Sequence, residues 1–197
     1  MDRDTAFATL IGSRICHDLI SPIGAINNGL ELIEMSNPAG SPELALISES
    51  VSSASARIRF FRIAFGAAGE QMVSRAEVVS ILEDVYASGR LKIVWQPSDG
   101  LQRTYVKLAF LALLCLETGM PYGGRVEITL QQETVILTGH ADKLNIDEAL
   151  WTRLSGGPEG AALVPAHVQF GLLPVIASDE GRKVRVSSEE TRIVITI

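Results

Sequence analysis

His17 and Asp18 stand side by side in the run Ile15-Cys16-His17-Asp18-Leu19-Ile20-Ser21-Pro22-Ile23. An imidazole nitrogen is nucleophilic when neutral, and histidine is substantially neutral at pH 7. Such a nitrogen can take up a phosphoryl group and release it again, because the phosphoramidate it forms is labile. Transfer of this kind needs in-line positioning and charge neutralisation more than acid–base help. Arg14, one turn before His17, either helps to neutralise phosphoryl charge or is an ordinary surface arginine.

The histidine must be held by a long helix. Cys16, Leu19, Ile23, Ile26, Leu30 and Ile33 recur at alternating three- and four-residue steps, the seam of a coiled coil or helix bundle, which predicts a helix from about Arg3 to Met35. His17 then falls about 130° from the centre of the apolar stripe. Ser13, Ser21, Gly24 and Asn28 share its face. They are small or polar and leave room for another protein to dock. Pro22 removes the amide that would bond the Asp18 carbonyl, so the helix should bend there. A proline inside a helix costs roughly 3 kcal/mol, which argues against an accidental placement. Two plainer readings of His17 are an exposed histidine without a role and a metal ligand. No second histidine or cysteine lies at helical ligand spacing, and His140 and His167 are remote, so no metal is expected.

A second helix is predicted over 42–65. Ser41 can cap it, Pro42 suits its first position and Glu43 its first turn. Leu44, Ile47, Val51, Ala54, Ile58, Phe61 and Phe65 continue the same seam. Two such helices on a short loop form an antiparallel hairpin with more apolar seam than the pair can cover. No second hairpin of this pattern follows in the chain. A homodimeric four-helix bundle is therefore expected. Phe60 and Ile63 lie off the seam and should pack against the domain that follows; the alternative is that they only widen the bundle core. Arg57, Arg59 and Arg62 read as a solvated or interdomain face.

The whole chain has 197 residues, 47% hydrophobic and 20% charged, with a net charge of −6 and a pI near 5.1. There is no basic excess to displace counterions, so nucleic acid is not the expected partner. Two cysteines in helical patterns do not suggest a disulfide framework. The start, MDRDTAFATL, lacks a signal-peptide pattern, and the longest apolar run, 109–116, is far short of the roughly 20 residues that span a bilayer. These features predict a cytoplasmic chain with no membrane segment of its own.

The pattern changes at 66–73, which predicts a hairpin domain over 1–68 and a second domain over 71–197. Ser74 and Glu77 form a capping box for a helix to about Ser88. LKIVW reads as a strand and 101–118 as a strongly apolar helix. The turn Pro121-Tyr122-Gly123-Gly124 leads into the strands RVEITL and ETVILTG. Helices over 146–154 and 164–178 precede a closing hairpin of KVRVS and RIVITI, with Glu189 and Glu190 near its turn. Helices alternating with antiparallel strands give an α+β class, a two-layer α/β sandwich beside the hairpin.

HDLISPI resembles the phosphoacceptor box of two-component histidine kinases, which sits on the first helix of a dimeric bundle. Residues 71–197 resemble the ATP-binding domain of those kinases in outline. The nucleotide signatures are missing. Leu111 and Cys115 stand where the kinase pattern has asparagines, one of which holds Mg²⁺, and neither side chain ligates a hard cation. Thr138-Gly139-His140-Ala141-Asp142 replaces the adenine-reading glycine loop. The stretch from His167 to Leu173 has a single glycine where a glycine-rich lid belongs.

A chain with its phosphoacceptor box kept and its ATP site erased is similar to the ChpT-type histidine phosphotransferases of alphaproteobacteria, over essentially the whole length. That resemblance implies a dimeric hairpin carrying the acceptor, His17, and a degenerate ATPase-like domain beside it. It implies a relay from the receiver domain of a CckA-like hybrid kinase to CtrA-like and CpdR-like response regulators of the cell cycle. No cofactor of the chain's own is implied; Mg²⁺ comes with the receiver. Asp18, which assists attack on ATP in kinases, here either orients the ring or is a remnant. The competing readings are an active kinase with a divergent ATP site and a non-enzymatic dimeric scaffold.

Overall fold

The structure, a computed structural model, describes residues 12, 19, 20, 23–33, 35, 42–87, 89–157 and 163–197. Residues 23–33 are helical (α1), and α2 runs over Pro42–Ala64. A Cβ on Gly12 would lie 3.3 Å from the Phe65 Cβ, while Asn27 shares a groove with Leu46, Glu49 and Ser50. The start of the first helix therefore meets the end of α2, and the pair is antiparallel.

The rest of the chain alternates helices and strands: β1 (Met72–Val73), α3 (Arg75–Tyr86), β2 (Leu91–Trp95), β3 (Leu101–Gln102), α4 (Arg103–Gly119), β4 (Gly124–Gln131) and β5 (Thr134–His140). There follow α5 (Glu148–Leu154), a 3-10 turn (Pro165–His167), α6 (Gln169–Asp179), β6 (Arg185–Ser188) and β7 (Arg192–Thr196). Local signals set several of these ends. The Ser74 hydroxyl accepts the Glu77 amide at 3.1 Å, and the Asp147 carboxylate accepts the Ala149 and Leu150 amides at 3.0 and 3.3 Å. Gln132 and Glu133, at φ 47° and 68°, make the tight turn between β4 and β5.

Five strands form one sheet in the order β2-β4-β5-β7-β6, parallel between β2 and β4 and antiparallel elsewhere. Val126, Leu137 and Ile193 point to the helices and are buried, while Lys92, Arg125, His140 and Arg192 are exposed on the other face. This is the two-layer α+β architecture that the alternation predicts.

Two boundaries differ from expectation. Leu101 and Gln102 do not open a helix; they pair with Val73 and Met72 as a small second sheet. Gly100 allows the close approach, since a Cβ there would lie 3.0 Å from the Val73 carbonyl oxygen. The helix predicted over 164–178 is split: Pro165 starts a 3-10 turn, and α6 begins at Gln169.

The core centres on α4, whose residues from Val106 to Leu113 are all buried. Phe60 of α2 is 1% exposed and stacks on Phe110 with ring centroids 4.3 Å apart; Ile63 and Ala64 are fully buried in the same cluster. The off-seam residues of α2 thus pack on the second domain, as expected.

The first turns of α4 also grip the end of α2. Arg103 donates Nη2 to the Arg62 carbonyl at 2.6 Å and Nε to the Ala67 carbonyl at 3.1 Å. Lys107, 2% exposed, donates Nζ to the Gly66 carbonyl. The cations satisfy one carbonyl of the last helical turn, that of Arg62, and two just past it, those of Gly66 and Ala67. Burial, and then the Arg103 charge, lower the Lys107 pKa from 10.5 to about 8. Between those values the unfolded chain binds more protons than the folded one, so this group makes stability rise with pH across the window. The full span is worth roughly 3 kcal/mol. Denaturant unfolding between pH 7.5 and 10.5 should show this rise, and Lys107→Met should remove that part of the slope.

Candidate functional site

Of the residues singled out by sequence, Ser13, Arg14, His17, Asp18, Ser21 and Pro22 lie outside the described residues. Gly24 and Asn28 are described, one helical turn apart on α1. A Cβ on Gly24 would meet nothing within 4 Å, and Asn28 is exposed. The adjacent Asn27 donates Nδ2 to Glu31 Oε1 at 3.0 Å. The face on which Gly24 and Asn28 stand is therefore open.

The seam splits into two halves on α1. Leu30 is 7% exposed and Ile23 half-buried, whereas Leu19, Ile26 and Ile33 are 43%, 48% and 46% exposed. The first set faces α2. The second set is a bare apolar stripe in a single chain. On α2, Ile47 is likewise 47% exposed. Arg59 forms an ion pair with Asp84 of α3, with Ser80 Oγ 3.4 Å from the same carboxylate oxygen, so this arginine ties α2 to α3. Arg57 and Arg62 are exposed.

The region resembling a nucleotide site is filled. Leu111, Cys115 and Thr118 share one face of α4 by helical spacing. Thr118 accepts from Gln169 Nε2 of α6 at 3.2 Å, and α6 packs along α4. Leu111 and Cys115 are fully buried, and burial pushes the Cys115 thiol pKa well up, leaving it a protonated, apolar filler. Phe170 and Leu173, from the stretch compared with a lid, are fully buried, with Phe170 edge-on to Trp151 at 5.4 Å. Gly139 serves packing: a Cβ there would lie 2.7 Å from Met120 Sδ. Gly123 and Gly124 of the turn have φ of 99° and 143°, and a Cβ on either would strike the Arg90 or His140 carbonyl oxygen, at 2.6 and 2.2 Å. Among the described residues no group of His, Cys, Asp or Glu could hold a metal ion.

Sequence reasoning missed the Lys107 clamp and the buried Gln169. A lone lysine in the run VKLAFLALL was the available signal for the first. Gln169, which also donates to the Ala166 carbonyl at 3.1 Å, carried none.

An α+β fold joined to an antiparallel helical hairpin, with Leu111 and Cys115 buried on α4, defines the class of scaffold. Residues 75–192 match the family described as histidine phosphotransferase C-terminal domain. The protein phosphotransferase ChpT of Brucella abortus (strain 2308) is 31% identical over 194 residues, 95% of this chain and 92% of that protein. A solved bacterial phosphotransferase matches with a TM-score of 0.71 and 27% identity, over 100% of this chain and 97% of its own. Full-length ShkA in complex with AMPPNP, at 12% identity and a TM-score of 0.50, shares the fold over 96% of this chain and 45% of its own. The chain belongs to the ChpT-like histidine phosphotransferase family. Among its described residues no helix is long and apolar enough to cross a membrane.

Proposed function

We propose that this chain is the histidine intermediate of a phosphorelay, with His17 as the phosphoacceptor. The imidazole nitrogen attacks the phosphorus of an aspartyl phosphate on a receiver domain. The N–P bond forms as the P–O bond breaks, and the aspartate leaves as a carboxylate. The reverse step on a second receiver completes the relay. The observation that carries this reading is the likeness to a protein phosphotransferase along nearly the whole chain, and HDLISPI supplies the candidate acceptor. The open face at Gly24 and Asn28 supports docking there, extended by Ser13 and Ser21. The donor we propose is a CckA-like hybrid kinase receiver and the acceptors CtrA-like and CpdR-like regulators, in the cytoplasm, with Mg²⁺ held by the receiver. Asp18 and Arg14 are proposed to orient the ring and to neutralise phosphoryl charge. Residues 1–68 form the transfer hairpin, and 71–197 a degenerate ATPase-like domain that supports it.

The working form is a homodimer, because Leu19, Ile26, Ile33 and Ile47 stay 43–48% exposed in one chain. Ile26→Asp, on the bare stripe, should shift the purified protein to monomer in light scattering, at the several kcal/mol typical of an uncompensated charge buried in the dimer. A wild-type protein already monomeric at micromolar concentration would remove the four-helix bundle.

The second domain does not supply the phosphate. Leu111 and Cys115 are plugged by α6, which leaves no oxygen ligand for Mg²⁺ at either position. Incubation with labelled ATP and Mg²⁺ alone should leave the protein unlabelled. Labelling at His17 would identify a divergent kinase instead.

A further inference from the structure

We propose that the groove between α3 and the free edge of β2 is a strand-addition site for an extended, acidic segment of a partner polypeptide, separate from the chemistry at His17. The sheet has two edges, β2 and β6. The β6 edge is four residues long, with Arg185, Ser187 and Ser188 exposed and Lys183 just before it. Short, charged edges of that kind resist pairing. The β2 edge, LKIVW, carries one lysine among aliphatic and aromatic residues and has no proline or bulge.

Its backbone is half used. The Gly124 amide donates to the Arg90 carbonyl at 3.2 Å, and the Gln96 amide donates to the Ile128 carbonyl at 2.9 Å. A strand in a parallel pair offers every second residue to its neighbour. Arg90, Lys92, Val94 and Gln96 therefore bond β4, and the amides and carbonyls of Leu91, Ile93 and Trp95 point away from it. Among the described residues no strand lies on that side.

What lies there is a groove of about 500 Å³ whose far wall is α3. Val79, Leu82 and Ile93 give it an apolar lining, with Arg75 and Glu83 as its own charges; Lys92 stands on the open face of the same edge strand, where alternate side chains of an added strand would also lie, so positive charge is in excess. In a chain of net charge −6 that local positive excess selects an acidic visitor. Trp95 also lines the groove and is 6% exposed, so its indole reports on anything that fills it. A bare row of strand amides and carbonyls is matched by an extended backbone, not by a helix.

The test uses the full-length, isotope-labelled protein and a five-residue peptide of alternating valine and aspartate, acetylated and amidated. In the free protein the Ile93 and Trp95 amides should exchange with solvent faster than those of Lys92 and Val94. Millimolar peptide should slow Ile93 and Trp95 at least tenfold and shift the Trp95 indole resonance. Lys92→Glu should weaken binding about tenfold, and the same peptide with alternate amides N-methylated should not bind. Unchanged exchange at Ile93 and Trp95, equal binding of the N-methylated peptide, or slowing produced only by raising the protein's own concentration would each overturn the proposal, the last by pointing to edge-to-edge pairing of two copies.

Discussion

His17→Ala is expected to abolish both half-reactions, uptake from a phosphorylated receiver and delivery to a second one. The side chain supplies the only atom that bonds phosphorus in the proposed relay, so nothing compensates for its loss. A fall of at least about a thousandfold, roughly 4 kcal/mol, is the expected scale. Light scattering should still show a dimer, because His17 is off the apolar seam. Gly24→Leu is the companion variant. It adds bulk where the structure has open space, so receiver docking should weaken while a phosphorylated His17 stays as reactive toward small acceptors. Phosphotransfer that survives His17→Ala would move the acceptor elsewhere, with His140 and His167 the next to test.

Phe60→Ala should be the most destabilising single truncation in α2. Phe60 stacks on Phe110 and packs edge-on to Tyr86 at 6.4 Å and to Phe61 at 6.0 Å. Its removal opens a cavity where α2 enters the second domain's core, at about 3–5 kcal/mol. Urea unfolding should show this as a lower midpoint. Arg57→Ala, on the exposed side of the same helix, should stay within about 0.5 kcal/mol of wild type. Equal effects from the two would mean that α2 is not anchored through Phe60.

The candidate acceptor His17 and most of the elements could be named from sequence because their signals are local. A nucleophile beside an acid, a proline within a heptad pattern, and Ser74 with Glu77 before an apolar run each depend on neighbours within two turns. The period of Leu44, Ile47 and Val51 separates a helix from the alternation of LKIVW without any knowledge of the partner. The position of Phe60 off the seam even forecast its burial. Other features needed the chain to fold back on itself. Val73 and Leu101 pair across an intervening helix and strand, and two-residue strands have no pattern of their own. Lys107 is tolerated in the core because the end of α2 presents Gly66 and its neighbours as acceptors, a placement fixed by tertiary packing. The missing asparagines could be read at Leu111 and Cys115, but that α6 closes over both depended on how α4 and α6 pack. The bare edge of β2 is likewise a consequence of strand order. Hydrophobic period and capping act over a few residues, whereas strand order, burial of a charge and the filling of a pocket are decided by contacts between segments distant in the chain.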